Sequence, residues 1–574
     1  MWLWLGDMIK MTGIAWAKKT EAALIAGGFL LYASLASKLS FGLGDEGYVL
    51  YIAQQILDGQ RLYADIELFA YLPGLFYLFA GLLQLAKGEI TTLNLLTAFP
   101  LTLNVWLAFR IVKNHAGFLM GLAAGGALLL CPGPLYRFYI PTLNLAILFC
   151  VSQYWSTFQT RWLGWLGAIT AIGFAIRIDA AACGLAMLIG CIIIGPILTP
   201  SVPRRKLLRK AGIGFVLTLA VTMSLLASAG ILGDYLNQLR GLGAHIIERS
   251  TADTKMAPPT LKELWMPMPL KAISGDGDSG SLPALKELWM PMVFAWQFYL
   301  SLFIPAAPIG LLAWYWRRQE KEWYFWLLLL VWVGFNLPQY MIERPDVTHL
   351  SHRFFALLIA ALISVHRLFG LAQTDLTKFR RIVISCVMVV GCATSFIFVT
   401  LCPASFLYDL FRTGQTVCLS KGRCFRYNSD AMAVIPLLKR VSEDKMPGDS
   451  ISVLPFAPGI AFLLKMPMSG SQVYLLPISL SRPNAERRYL QDLLRSKTRY
   501  VLLDAKINYS QSAGSSLDAY APYLYRTLRK CFIIAEEQKN WQLLRRIETS
   551  PTGECDGTQL MGEGQGEGAG SPNR

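Results

Sequence analysis

Long apolar segments recur along most of this chain, and they constrain its fold more than any other feature. A helix needs about 20 apolar residues to cross a hydrocarbon layer about 30 Å thick. The sequence therefore predicts a mostly α fold, with a polytopic helical membrane domain of about 11 spans and a C-terminal α/β domain. The predicted spans lie near 22–39, 91–112, 116–132, 141–157, 162–176, 179–199, 211–232, 293–316, 323–341, 353–370 and 380–402.

Basic residues set the predicted orientation of these spans. The net charge is +16, but Lys and Arg occur in short runs between apolar segments, which indicates membrane topology and argues against a nucleic-acid partner. Lys18 and Lys19 precede the first span and predict a cytoplasmic N-terminus. Residues 71–87 are apolar enough to span, yet a span there would move the basic run 204–210 outside, so we interpret them as a juxtamembrane helix. The stretch 33–37 also fits a signal-peptide cleavage site, but we expect a retained anchor.

The predicted domain boundaries follow from this topology. The Gly-rich end of the chain is expected to be disordered. The segments are a cytoplasmic N-terminus (1–21), a transmembrane domain (22–402) with outer loops 40–90 and 233–292, an outer, periplasmic α/β domain (403–549) and a tail (550–574).

An acidic pair, Asp45-Glu46, opens the first outer loop. A carboxylate at hydrocarbon depth costs roughly 2.5 to 3.5 kcal/mol, so acids kept at a membrane face are either solvated loop residues or functional ones. The apolar pattern of 47–57 predicts an amphipathic helix on the interface. Asp45 could cap this helix while Glu46 complements its dipole. Capping would not explain a further acid, Asp65, before the next helix.

The first outer loop resembles that of one enzyme family. The runs 44–48 (GDEGY), 57–65 (LDGQRLYAD) and 71–73 (YLP) are similar to the first periplasmic loop of bacterial GT-C integral-membrane glycosyltransferases, such as the relatives of protein O-mannosyltransferase and lipid A aminoarabinose transferase. This resemblance implies a polyprenyl-phosphate-linked sugar donor, a lipid, glycan or protein acceptor, and contact with membrane lipid. It also implies a bacterial inner-membrane location with a periplasmic active site.

Sugar transfer from a lipid phosphate sets the chemistry that the residues must supply. A base must take the proton of the acceptor hydroxyl, and cations or hydrogen-bond donors must stabilise the departing phosphate. Asp45 is the predicted base, with Glu46 as the second catalytic acid. The predicted substrate-binding residues are Tyr63 and Asp65 in the first loop and Arg177, Arg344, His349 and Arg353 at later outer positions.

Several interpretations stay open at this point. Arg177 and Asp179 could form an ion pair that orients two helices instead of lining a site. A divalent metal near Asp45, Glu46 and His349 is conceivable, but no spaced ligand cluster requires one, and no other cofactor is indicated. The alternative functions are a polytopic lipid or sugar transporter and a non-catalytic polysaccharide-assembly membrane protein.

The octapeptide LKELWMPM occurs twice in the second long outer loop, at 261–268 and at 285–292. The repeat predicts a tandem duplication of a short amphipathic helix, either as a mobile flap or as a neutral duplication.

The C-terminal domain alternates predicted strands with predicted helices. Apolar runs at 451–455, 500–504 and 531–535 predict buried strands, and the alternation with helices near 457–465, 484–496 and 516–529 predicts a largely parallel sheet. Cys418 and Cys424 bracket a short polar turn, which predicts a disulfide in an oxidising compartment.

Overall fold

The computed structural model describes most of the predicted membrane and C-terminal segments. The described residues are 2–68, 71–133, 135–240, 304–337, 353–374, 416–420, 423–427, 431–476, 480, 484–496, 498–505, 517–547 and 555, with side chains from residue 19 onward. The repeated octapeptides, the predicted span 380–402, and Arg344 and His349 lie outside the described residues.

The chain divides into two compact units. Unit 1 comprises Met1–Ala36, Thr97–Ser224 and Lys255–Tyr408, and unit 2 comprises Ser37–Leu96, Leu225–Thr254 and Asp409–Arg574. The first outer loop therefore groups with the C-terminal domain, although the sequence assigns it to the membrane domain. The boundaries at 22, 402 and 549 stay a prediction.

Helices make up the part of the chain before residue 403, as far as it is described. The predicted spans in this part each have a helix at their position, although the first helix begins at Trp2, well before the predicted residue 22. The helices are α1 (Trp2–Leu35), α2 (Asp45–Leu57), α3 (Pro73–Leu85), α4 (Ile90–Leu130), α5 (Tyr139–Thr157), α6 (Arg161–Ile176), α7 (Ile178–Leu198), α8 (Arg204–Ser228), α9 (Ala306–Arg317), α10 (Trp323–Asn336) and α11 (Phe354–Thr374).

A sharp break divides α4 into the two predicted spans. Gly117 has φ 83° and ψ 174°, a conformation that favours glycine because it has no Cβ. The segment after the break folds back on the one before it, since a Cβ added to Gly125 would lie 3.3 Å from the Cβ of Phe109. The predicted segments near 91–112 and 116–132 are therefore two antiparallel helices.

The helices have the length and surface of membrane spans. Four helices in the described part are long and apolar enough to cross a membrane: Ile90–Leu130, Leu135–Thr157, Ile178–Leu198 and Arg204–Ser228. On α8, Val216, Leu217 and Leu225 are 63–65% exposed in the protein alone. Large apolar side chains exposed in a row are costly in water and are typical of a lipid-facing surface. The chain is a multi-pass membrane protein, and the count of about 11 spans stays a prediction.

Unit 2 contains α2, α3 and the α/β domain. The strands and helices of this domain are β1 (Thr416–Ser420), β2 (Arg423–Arg426), α12 (Ile435–Asp444), β3 (Ile451–Leu454), α13 (Gly459–Leu464), α14 (Ala485–Arg495), β4 (Tyr500–Asp504), α15 (Leu517–Tyr520), α16 (Pro522–Cys531), β5 (Phe532–Gln538) and β6 (Trp541–Arg546). The mostly α fold with a C-terminal α/β domain is confirmed.

The main sheet is mixed, so the prediction of a largely parallel sheet was wrong. Its strand order is β3-β4-β6-β5, in which β3 and β4 are parallel but β6 is antiparallel to both of its neighbours. The unpredicted strand β6 returns from β5 through a two-residue turn in which Lys539 has φ 54°. A two-residue hairpin turn usually contains glycine, and the lysine here gives no such signal. Because antiparallel strands joined by a hairpin need no connecting helix, the alternation of strands and helices did not reveal β6.

Two disulfides stabilise unit 2. One joins Cys418 to Cys424 across the antiparallel hairpin of β1 and β2, at the pair that the sequence predicts. The other joins Cys531, at the end of α16, to Cys555. Cys555 is buried and its carbonyl accepts a hydrogen bond from Arg546 Nη2. Cys555 is therefore tied to α16, although it lies within the segment 550–574 for which the sequence predicts disorder.

Candidate functional site

The acidic pair lies at the first turn of α2. The helix begins at Asp45, its N-cap residue is Gly44, and no side chain caps it. Asp45 is therefore the first residue of the helix and not its N-cap, contrary to the interpretation that Asp45 caps the helix. The partial positive charge at a helix N-terminus stabilises carboxylates in the first turn, so Asp45 and Glu46 both lie where negative charge is favoured.

Glu46 is held by the backbone that precedes the helix. Its Oε2 accepts a hydrogen bond from the Gly42 N–H at 2.8 Å. Burial raises the pKa of the Glu46 carboxyl to about 7, and the bond from Gly42 opposes this rise. Because a pKa near the working pH lets a carboxyl both take and release a proton, Glu46 suits general acid–base chemistry.

A close crossing of two helices fixes the position of the acidic pair. Gly47 on α2 packs directly on Gly459 at the start of α13, and a Cβ added to Gly47 would lie 2.3 Å from the Gly459 Cα. The Gly459 N–H also donates to the Leu43 carbonyl at 2.9 Å. Gly459 of the C-terminal domain thus contacts Leu43, before the acidic pair, and Gly47, directly after it, and fixes the position of the pair.

Helix α2 is buried more completely than an interfacial helix would be. All residues from Gly47 to Ala53 are buried, since α3 and α13 pack against α2. The amphipathic pattern of 47–57 correctly predicts the helix, but the expectation of one face exposed over this stretch was wrong.

Tyr48 lies in a cluster of aromatic rings beside the acidic pair. Its ring centroid is 5.4 Å from that of Tyr474, 5.5 Å from that of Tyr71 and 5.7 Å from that of Phe76. No described residue hydrogen-bonds to the buried Tyr48 hydroxyl. Burial raises the Tyr48 pKa well above its usual value, and the neighbouring phenols and the Asp45 carboxylate raise it further. The hydroxyl is therefore a neutral donor close to Asp45.

Tyr63 and Asp65 occupy a tight turn of the first loop. Tyr63 has φ 70°, and its buried hydroxyl has no hydrogen-bond partner among the described residues. The Asp65 Oδ2 accepts the Arg61 N–H at 2.8 Å, and the Asp65 side chain is 41% exposed. Asp65 therefore stabilises the turn, while Tyr63 is the residue of this pair with an unused polar group.

Unit 1 holds a separate cluster of charged residues at the junction of α6 and α7. Asp179 Oδ1 lies 2.7 Å from Arg177 Nε, and its Oδ2 lies 2.5 Å from Arg353 Nη2. Arg353 is 3% exposed at its side chain and also donates from Nη1 to Asn336 Oδ1 at 3.0 Å. The ion pair between Arg177 and Asp179 exists in the structure, and two arginines against one carboxylate leave a net positive charge.

Arg137 is a member of this cluster that sequence reasoning missed. It interacts electrostatically with Arg177 and with Tyr139, and its Nε donates to the Tyr136 hydroxyl at 2.7 Å. Arginines that lie close together repel one another unless an anion lies between them. Arg137 lies between the predicted spans 116–132 and 141–157, in a segment that the predicted topology places on the outer face. An arginine there departs from the positive-inside pattern, and this departure is the signal that could have identified it.

The remaining predicted site residues lie outside the described part of the chain or stay untested. Arg344 and His349 fall in the segment 338–352, which the structure does not describe. Among the described residues, no group of three or more His, Cys, Asp or Glu side chains could hold a metal ion. The acidic pair belongs to unit 2, and the arginine cluster to unit 1.

Several solved structures are similar to this chain in fold. The crystal structure of ArnT from Cupriavidus metallidurans in the apo state shares 12% identity, covers 92% of this chain and 98% of its own, and gives a TM-score of 0.48. The Archaeoglobus fulgidus oligosaccharyltransferase in the apo form shares 11% identity, covers 88% of this chain and 72% of its own, and gives a TM-score of 0.45.

A third similar structure is the oligosaccharyltransferase AglB from Archaeoglobus fulgidus in complex with an inhibitory peptide and a dolichol-phosphate. It shares 10% identity, covers 91% of this chain and 74% of its own, and gives a TM-score of 0.42. No family model and no curated protein matches the chain. At these identities and TM-scores, the likeness assigns no activity, substrate or site residue to this chain.

Proposed function

We propose that this protein is a membrane glycosyltransferase that moves a sugar from a polyprenyl-phosphate donor to a lipid, glycan or protein acceptor. The observation that carries the proposal is the acidic pair at the start of α2, in which Glu46 has a pKa of about 7 and accepts a hydrogen bond from Gly42. Burial raises the pKa of structural carboxyls as well, so the support comes from the geometry together with the pKa: two adjacent carboxyls lie in the first turn of one helix, where one can take a proton and the other can pass it on.

Asp45 is the proposed general base. As the acceptor oxygen forms a bond to the anomeric carbon, its proton passes to Asp45, and the bond from that carbon to the phosphate oxygen breaks. The electron pair leaves with the polyprenyl phosphate. Glu46 is proposed to receive the proton from Asp45 and release it to solvent, which its pKa of about 7 allows. A positioned carboxylate contributes about 10²- to 10⁴-fold in rate to such a step.

The arginine cluster of unit 1 is the proposed recognition site for the donor phosphate. The side chain of Arg177 is 19% exposed and pairs with Asp179 through Nε, whereas the side chain of Arg353 is 3% exposed and is held by both Asp179 and Asn336. We therefore propose that Arg177, with Arg137, contacts the phosphate, and that Arg353 positions Asp179. Arg344 and His349 stay proposed phosphate-side residues, and Tyr63 a proposed sugar-side donor.

The cysteines support an outer, periplasmic location for unit 2. Both disulfides of the described chain lie in unit 2, whereas Cys150, Cys183 and Cys191 are buried thiols of unit 1. Disulfides form and persist in oxidising compartments such as the bacterial periplasm. This distribution favours an active site on the outer face of the inner membrane.

Substitution of Asp45 tests the proposed function directly. Wild type and Asp45→Asn are purified in detergent and offered a panel of labelled polyprenyl-phosphate sugars with envelope extract as the acceptor, and the release of polyprenyl phosphate is measured. We expect Asp45→Asn to bind the donor normally and to lose at least about 100-fold in turnover. Asp444→Asn, which neutralises an exposed acid of α12 in the same unit, is the matched control.

The same assay separates the proposal from its rivals. Turnover by Asp45→Asn at the wild-type rate would refute a catalytic role for Asp45. Donor binding without any release of polyprenyl phosphate would favour a transporter, and the absence of donor binding would favour a non-catalytic assembly protein.

A further inference from the structure

An open cleft lies in unit 2 at the opposite end of α2 from the acidic pair. It has a volume of about 770 Å³ and is bounded by the C-terminal ends of α2, α3 and α13. Ligand pockets in proteins typically have volumes of about 300 to 1,000 Å³. Because α2 rises 1.5 Å per residue, its two ends are separated by roughly 18 Å. The cleft is therefore distinct from the acidic pair.

The lining of the cleft combines an apolar floor with an amide-rich rim. Tyr51, Leu83, Phe462 and Met466 are buried and form the floor. The rim carries four glutamines, Gln54, Gln55, Gln60 and Gln84. Gln54 Nε2 already donates to Asp58 Oδ1 at 2.9 Å, whereas Gln55, Gln60 and Gln84 each carry a donor and an acceptor group at the rim. A ligand with many hydroxyl groups requires this pattern, since each hydroxyl also donates and accepts.

The charges around the cleft favour a neutral ligand. Asp58 and Glu89 are offset by Lys87 and Lys465, so the charged side chains of the lining sum to zero. The C-terminal ends of α2 and α3 add partial negative charge, which disfavours a phosphate or another anion. A metal ion is also disfavoured, because the described residues contain no suitable group of ligands.

The exposed apolar surface of the cleft comes from residues at its edge. Leu57 is 39% exposed, and Pro467 is also exposed. The rings of Tyr51 and Phe462 are covered by the protein and close the floor, and the Tyr51 hydroxyl is fixed because it accepts the Met468 N–H at 2.7 Å. Apolar surface beside polar amides matches a carbohydrate, which has apolar ring faces and a polar rim.

We propose that this cleft binds a neutral oligosaccharide at a site separate from the acidic pair. Such a site would hold a glycan on the protein independently of the transfer step. The part of α2 that lines the cleft runs from Tyr51 to its C-terminal end, which is roughly 9 to 18 Å from Asp45 along the helix axis, so the two ends of α2 could contact different parts of one extended chain.

Binding to the full-length protein in detergent tests this proposal without any sugar donor. The probes are maltotetraose, cellotetraose, mannotetraose and chitotetraose, with heparin tetrasaccharide as the anionic comparison, and binding is measured by saturation-transfer difference NMR and titration calorimetry. We expect at least one neutral tetrasaccharide to bind, and the double variant Gln55→Ala/Gln84→Ala to weaken its binding about tenfold, as loss of two hydrogen-bonding side chains predicts.

Two further variants define the outcome. Gln491→Ala, on α14 outside the cleft, and Asp45→Asn should both bind the tetrasaccharide as wild type does. The proposal is overturned if no neutral probe binds, if only the anionic probe binds, or if the double variant binds as tightly as Gln491→Ala. Because no donor is present, failure here leaves the proposed transferase activity untouched, and loss of binding in Asp45→Asn would mean that the glycan lies at the acidic pair instead.

Discussion

Substituting Gly47 by alanine should displace the acidic pair without changing either carboxylate. An added Cβ at Gly47 would lie 2.3 Å from the Cα and 2.5 Å from the N of Gly459. These are backbone atoms and cannot rotate away, so α2 must move by about 1 Å to reach an ordinary carbon–carbon contact of roughly 3.5 Å. Overpacking of this kind typically costs 1 to 3 kcal/mol, and a misplacement of about 1 Å at a reacting group can cost about 100-fold in rate.

A matched glycine on the neighbouring helix controls for the alanine itself. Gly81 lies in α3, and a Cβ added there would have no atom within 4 Å. Gly81→Ala should therefore be neutral or stabilise α3 by up to about 1 kcal/mol. Unfolding in detergent is followed by intrinsic fluorescence, and turnover by release of polyprenyl phosphate. If Gly47→Ala has the melting temperature and turnover of Gly81→Ala, the proposed role of the crossing with Gly459 is wrong.

Three further predictions follow from the charges and disulfides. Burial raises the Glu46 pKa from 4.5 to about 7, so between these pH values the folded state keeps a proton that the unfolded state loses. The free energy of unfolding should therefore fall by up to about 3 kcal/mol as the pH rises from about 4.5 to 7. Glu46→Gln should flatten the pH dependence of the melting temperature, and an unchanged dependence would contradict the prediction. Replacing Cys531 and Cys555 by serine removes the disulfide that closes the loop between them and should lower the free energy of unfolding by about 3 kcal/mol. The variant should melt at a lower temperature than wild type, and added reductant should lower the melting temperature of wild type by more than that of the variant. Asp179→Asn should destabilise unit 1 by about 3 to 5 kcal/mol, because it leaves the buried Arg353 without its carboxylate. The double variant Asp179→Asn/Arg353→Met should recover much of this loss. If the effects of the two substitutions on the free energy of unfolding simply add, the two residues are not coupled.

Local sequence patterns predicted the helices because a helix depends on residues three and four positions apart. The ends of α5, α6 and α7 lie within about two residues of the predicted ones, which is the usual precision of boundary assignment. The predicted helices 47–57 and 71–87 match α2 (Asp45–Leu57) and α3 (Pro73–Leu85) with the same precision. The break in α4 at Gly117 lies two residues after the gap 113–115 between two predicted spans.

Contacts between distant parts of the chain left no such signal. The burial of α2 depends on Gly459, which is remote from Gly47 in sequence, so the amphipathic pattern alone suggested an exposed face. The place of β6 in the sheet depends on its pairing with β4, which is remote in sequence, and no glycine marks the turn that joins β6 to β5. Cys555 lies in a stretch whose composition predicts disorder, and a disulfide joins it to the distant Cys531. In each case a long-range interaction overrode a correct local tendency.

The C-terminal domain is better understood as part of the first outer loop's fold than as an accessory. Residues 47–53 of α2 are buried, and their burial depends in part on α13 of that domain. Each fully buried apolar side chain contributes about 1.5 to 3 kcal/mol, so α2 would lose a large part of its stabilisation if α13 were absent. The raised pKa of Glu46 has the same origin, since burial is its main cause. The chemistry proposed for the acidic pair therefore depends on the C-terminal domain, although none of the proposed catalytic residues belongs to that domain. The domain excludes water from the helix whose first turn carries Asp45 and Glu46.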